Sequence, residues 1–105
     1  MFCNVFSKRD ALLTQAALEL ANAHLDSARN TKGAGMTLVY CDEADAALYR
    51  LKRSKRKDLV ASSTAEDRIL CDGIAATYFA LGEVWNCSGH REMAHASDMK
   101  AEKWR

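Results

Sequence analysis

Two thiol–imidazole pairings are the places where this chain could do chemistry. Cys87 and His90 have a Cys-x-x-His spacing and His95 lies close by. Those residue types at that interval suit zinc, but a structural zinc needs four ligands, often in two close pairs. The further donor, Cys71, lies well over two helical turns before Cys87, and Ser88-Gly89-His90 reads more simply as a turn between two helices. No metal and no cofactor is expected. Cys41 with His24 would make the second pairing, a thiol and an imidazole across a hairpin. Around them the sequence supplies no oxyanion hole, nucleophile elbow or glycine-rich phosphate loop. Gly33-Ala34-Gly35 lacks the following lysine of a P-loop, and Asp42, Glu43 and Asp45 read as a solvated acidic face. The chain is not expected to be an enzyme.

A third cluster is basic. From Arg50 to Lys57, six of eight residues are Lys or Arg, against a net charge of only +1 for the whole chain. Lys52, Arg53, Ser54 and Lys55 fit the short pattern of a nuclear-import signal, and Lys52, Arg53, Lys55 and Arg56 could contact phosphates. The plainer reading is a solvated stretch whose cations complement the end of a preceding helix. No aromatic residue interleaves the run to stack on bases, so nucleic acid is the less favoured partner.

The elements that must position these groups are helical. The chain has 105 residues, 49% of them hydrophobic with alanine prominent, and no proline. That composition favours helix over strand and suits one domain with a modest core. No apolar run is long enough to span a bilayer, and the N-terminal residues do not form a secretory signal. The expectation is a soluble protein of the cytoplasm or nucleus, with Cys3, Cys41, Cys71 and Cys87 reduced.

Four helices are predicted. The first runs from Lys8 to Arg29, opened by a Ser7/Asp10 capping signal, with Leu13, Ala17, Leu20, His24 and Ala28 as its inward stripe. A turn over Thr31–Gly35 leads to a second helix from Met36 to Arg53, burying Leu38, Cys41, Ala44, Leu48 and Leu51. Lys55–Ser63 reads as a linker. Ser63 with Glu66 caps a third helix reaching Cys87, and a fourth spans Arg91–Lys103. The domain is thus one unit over 1–105: a hairpin at about 8–54, a linker at about 55–63, and a second hairpin at about 64–104.

In the second hairpin, Tyr78, Leu81, Gly82 and Trp85 share one helical face, Gly89 breaks the run, and Ala94 and Ala101 supply small residues for close packing. This order resembles a tetratricopeptide repeat, spanning about 74–105. It departs from that family at Asp98, where an aromatic is usual, and in having no closing proline. A weaker copy lies at about 13–51, where Leu20, Ala21 and His24 echo Leu81, Gly82 and Trp85. The resemblance implies an all-α array of two stacked antiparallel hairpins, with a plain four-helix bundle as the alternative. Two repeats are fewer than such arrays usually need, which suggests self-association or a longer parent array. It further implies a non-catalytic adaptor that binds a peptide or partner helix along the first helix of each hairpin. The groove positions would be Phe79, Glu83 and Asn86, with Gln15, Leu18 and Asn22 in the weaker copy. Phe79 would be the anchor, since aromatics dominate binding hot spots.

Overall fold

The structure is a computed structural model that describes residues 8–50 and 53–105, without the side chains of Ala34 and residues 53–55. Its five helices are α1 (Lys8–Asn30), α2 (Ala34–Tyr49), α3 (Arg53–Ala61), α4 (Ala65–Cys87) and α5 (Arg91–Glu102). The described residues contain no strand, so the all-α expectation holds.

One helix more than expected is present. The stretch read as a linker is α3, a helix of 9 residues. Lys and Arg are good helix formers, and the short element is fastened by Leu59, which is 1% exposed among core residues of α4. Arg68 adds a tie by donating from its guanidinium to the Val60 carbonyl at 3.1 Å. The basic run therefore straddles two elements. Arg50 follows α2, where a cation suits the helix dipole, but Arg53 to Lys57 lie in the opening turns of α3, where it does not.

Two hairpins carry the core. In α1 and α2, Leu25 and Ala28 pack with Cys41 and Ala44, whereas Leu18 and Ala21 share a cluster with Ala47 and Leu48. The pairing order reverses along the two helices, so they run antiparallel. The same logic holds for α4 and α5, where Leu81 and Trp85 pack with Ala94, and Tyr78 with Ala101 and Trp104. Between the hairpins, α1 and α4 run parallel: Leu18 lies against Gly73, and Thr77 Oγ1 donates to Asn22 Oδ1 at 3.1 Å. Helix α4 also touches α2, and α3 packs on α4.

The buried face of α1 keeps only Ala28 of the expected stripe, with Ala17 and His24 half-buried. Thr14, Leu18, Ala21, Leu25 and Ala28 are buried, whereas Leu13 is 59% and Leu20 42% exposed. The helix has leucines at 12, 13, 18, 20 and 25, and this spacing fits either of two apolar stripes, one through Leu13 and Leu20 and one through Leu18 and Leu25. Contacts from both α2 and α4 select the stripe through Leu18 and Leu25. In α2 the expected Cys41, Ala44 and Leu48 are buried and Leu38 is half-buried. Leu51, like the Ser7 cap and Cys3, lies outside the described residues.

Helix ends follow local chemistry. The cap of α4 is Thr64, one residue beyond the expected Ser63, and its hydroxyl accepts from the Asp67 backbone N–H at 3.2 Å. Gly89 has a φ of 84°, a left-handed conformation that only glycine adopts without strain, and it turns the chain into α5. The first turn is shorter than expected, because Gly35 already lies within α2. At Gly82 the hairpin closes tightly. A Cβ there would stand 2.6 Å from Asp98 Oδ1 and 3.2 Å from the Ala94 carbonyl oxygen.

Candidate partner-binding groove

Helices α1 and α4 are in contact where Leu18 meets Gly73, its Cδ2 standing 3.0 Å from the position a Gly73 Cβ would take. Toward their N-termini a gap opens between them. Its lining comes from Lys8, Ala11, Leu12 and Gln15 of α1 and from Glu66, Ile69 and Leu70 of α4, around a volume of about 370 Å³. Leu70 and Ala11 belong to the core side of this groove, Leu70 being buried and Ala11 packed against the core cluster. Leu12 and Ile69 are different. They are 71% and 69% exposed, so two large aliphatic side chains stand in solvent on either side of an apolar cleft.

The reason lies in adjacent bulky residues. Successive helical positions point about 100° apart, so Ile69 and Leu70 cannot both face the core. Leu70 is buried and Ile69 is left outside. Leu12 and Leu13 are both exposed, because Ala11 and Thr14 take the inward directions on that turn. Sequence reasoning placed Leu13 in the core and did not single out Leu12 or Ile69. The available signal was the doublets themselves.

The expected groove residues are divided by the structure. Gln15 lines the groove. Leu18, expected beside it, is 8% exposed and packs in the core, because the buried frame of α1 includes position 18. Asn22 is exposed and accepts the Thr77 hydroxyl. Glu83 and Asn86 are exposed on α4. Phe79 is half-buried against the core, and the Arg105 guanidinium sits 5.8 Å from its ring centroid. Phe79 is not among the residues that line the groove with Gln15.

Cys87 is exposed, and the His90 ring meets the Trp85 ring edge-on, with centroids 5.5 Å apart. Among the described residues no group of three or more His, Cys, Asp or Glu could hold a metal ion. Cys41 is fully buried, and desolvation with the Asp42 carboxylate beside it pushes the thiol up to about 11. A thiol held protonated in this way is a packing group and not a nucleophile. Of the basic run, Arg56 and Lys57 meet Lys103 around a cleft of about 270 Å³ that also includes Val60 and Ala61. Lys52 and the side chains of Arg53 and Lys55 lie outside the described residues.

No described helix is long and apolar enough to cross a membrane. Comparison with protein-family models, with curated proteins and with solved structures finds no match for this chain.

Proposed function

We propose that this chain is a non-catalytic protein-interaction module that holds a segment of a partner in the groove between α1 and α4. One observation carries the reading: Leu12 and Ile69 stand exposed beside an apolar cleft whose core side is already packed. Covering each of these side chains would contribute about 1.5–3 kcal/mol. Together they give about 3–6 kcal/mol, no more than association itself costs, so a bound segment must also make contacts along the rest of the groove. The resemblance to tetratricopeptide hairpins lends support, since Tyr78, Leu81, Gly82, Trp85, Ala94 and Ala101 are all buried. In that family the first helices of successive hairpins form the binding surface, and α1 and α4 would be their counterparts in this reading.

The test is selection of displayed random peptides on the immobilised chain, repeated with Leu12→Glu, Ile69→Glu and Phe79→Ala, each checked for native helicity by circular dichroism. Peptides retained by the native chain and lost with both glutamate variants support the groove. Peptides lost only with Phe79→Ala would move the site to the outer face of α4, and a selection that enriches nothing would sink the proposal.

A second reading is nucleic-acid binding through the basic segment, favoured by the gathering of Arg56, Lys57 and Lys103. It demands affinity that falls steeply with salt and is lost when Arg56 and Lys57 are neutralised. Binding of a labelled oligonucleotide that is insensitive to both would exclude it.

A further inference from the structure

The groove opens at the end of α1 where the chain enters that helix. Lys8, the first described residue, belongs to the groove lining together with Ala11, Leu12 and Gln15. Ahead of Ser7 the sequence reads Met1-Phe2-Cys3-Asn4-Val5-Phe6, which carries no charged side chain and is mostly apolar. These residues lie outside the described part of the chain. The segment is thus an apolar one, tethered directly beside an apolar cleft flanked by Leu12 and Ile69, which are 71% and 69% exposed.

Local chemistry aims the segment at the groove. The Ser7/Asp10 signal makes Ser7 the cap of α1, so Phe6 stands immediately before the cap and Ala11 is the fourth helical residue. An apolar residue before a cap often packs against that fourth residue and fixes the angle at which the chain enters the helix. Ala11 packs against the core cluster and lines the groove, with Leu12 exposed beside it. Reach is sufficient to cross to the other wall. Packed helix axes stand about 8–10 Å apart, and the extended chain from Phe6 back to Phe2 spans about 13 Å. Tethering also favours this occupant over a free one. Leu12 and Ile69 alone only match the cost of bringing two molecules together. A segment joined to α1 through Ser7 escapes that cost, because a short tether holds it at an effective concentration in the millimolar range.

We propose that residues 2–6 fold back over the start of α1 and occupy the groove of their own chain, with Phe6 on Ala11 and Leu12 and with Phe2 on Ile69. This rests on the groove reading above and adds the regulation of that site. A segment from another molecule binds only when the tethered one is displaced, so its apparent affinity is reduced by the fraction of chains whose groove is empty.

The experiment is NMR on the full chain with labelled leucine and isoleucine methyl groups. Nuclear Overhauser contacts from the Phe2 and Phe6 rings to the Leu12 and Ile69 methyls are expected. They should vanish in Phe2→Ser/Phe6→Ser, while the Leu25 and Leu48 methyl shifts stay in place and report an intact core. Absence of the contacts in the native chain would overturn the proposal. Contacts seen only between labelled and unlabelled copies in a mixed sample would move the occupant to a second chain and overturn it too. Peptide binding separates this proposal from the groove reading. A displayed-peptide library is selected on the double variant, and a peptide so obtained should bind the native chain about tenfold more weakly. Equal affinity for the two would overturn self-occupation and leave the groove reading standing. Contacts in the native chain, with no peptide selected even on the double variant, would sink the groove as a partner site and leave the tethered contact in place.

Discussion

The two hairpins bury the same frame with different residues. Thr14, Leu18, Ala21 and Leu25 in α1 are followed 60 residues later by Ile74, Tyr78, Leu81 and Trp85 in α4, and all eight are buried. In the second helices, Cys41, Ala44 and Leu48 correspond to Ala94, Ser97 and Ala101 at a constant interval of 53. The seven-residue difference between these intervals is about two helical turns, and it makes the first hairpin longer because both connections span three residues. The second hairpin concentrates its large side chains on α4 and small ones on α5. The first distributes moderate side chains on both helices. The two hairpins thus share the spacing of their buried positions, and large aromatics make only the second conspicuous in the sequence.

Truncation of the matched aromatic and aliphatic residues would break the comparison most visibly. Trp85→Ala should cost about 3–5 kcal/mol and its counterpart Leu25→Ala about 2–5 kcal/mol, measured by urea unfolding. Both should reduce a single cooperative transition. Two separated transitions in either variant would mean that the hairpins fold as independent units.

This frame also explains what the sequence revealed and what it hid. The second hairpin was legible because Tyr78, Trp85 and Gly89 are distinctive residues with little alternative use. The first was read one residue out of step, matching His24 to Trp85 where Leu25 holds the place. Alanine at 16, 17, 21, 23 and 28 fits almost any face, so it could not fix the register. Only the neighbours α2 and α4 did so. The same slip put Leu18 on the expected binding face. The groove was half legible: Gln15 was among the expected residues, but Leu12 and Ile69 become notable only once the tertiary packing assigns their partners Ala11 and Leu70 to the inside. Helix α3 was missed because its many cations outweigh Leu59 in a reading by composition alone.

The next effect concerns one position at which the hairpins diverge. Gly82 and Asn22 follow Leu81 and Ala21 in the shared frame, yet Gly82 is buried against α5 and Asn22 reaches α4. Gly82→Asn should destabilise by about 1–3 kcal/mol, because the Ala94 backbone cannot easily yield although the exposed Asp98 side chain can. Asn22→Gly should cost only about 1 kcal/mol, from helix propensity and the lost bond to Thr77. A Gly82→Asn protein as stable as the native one would show that the second hairpin does not depend on close helix approach.

Alkaline pH separates the hairpins by their buried acids. Burial raises Cys41 from 9.0 to about 11, and it raises Tyr78 above its ordinary 10.0 with the Asp45 carboxylate acting in the same direction. Cys71 is also pushed up, chiefly by burial. In each case the folded state favours the neutral form. The resulting stability is fully present below the unfolded value and is lost as pH rises toward the folded one. Unfolding midpoints should be flat from these groups up to about pH 9 and then fall. Cys41→Ala should flatten the first part of the fall and Tyr78→Phe the later part. An unchanged pH profile in both variants would indicate that ionisation of the core does not set alkaline stability.

The smallest effect should come from the polar tie between the second helices. Lys100 Nζ lies 3.2 Å from Asp45 Oδ1, with the two side chains 39% and 27% exposed, and it bridges α5 to α2 across the hairpin boundary. A half-exposed pair of this kind gains modest Coulomb energy and loses side-chain entropy, so Asp45→Asn should cost only about 0.2–1 kcal/mol. Its value is diagnostic. Raising salt should remove most of the difference between native and variant, whereas the penalty for Leu25→Ala should persist, because apolar contacts are not screened. A loss larger than that for Gly82→Asn would mean that charge fixes the hairpins relative to one another. The buried contacts among Leu18, Leu48 and Tyr78 argue for the opposite order, since they join α1, α2 and α4 in one cluster with no need of an ion pair.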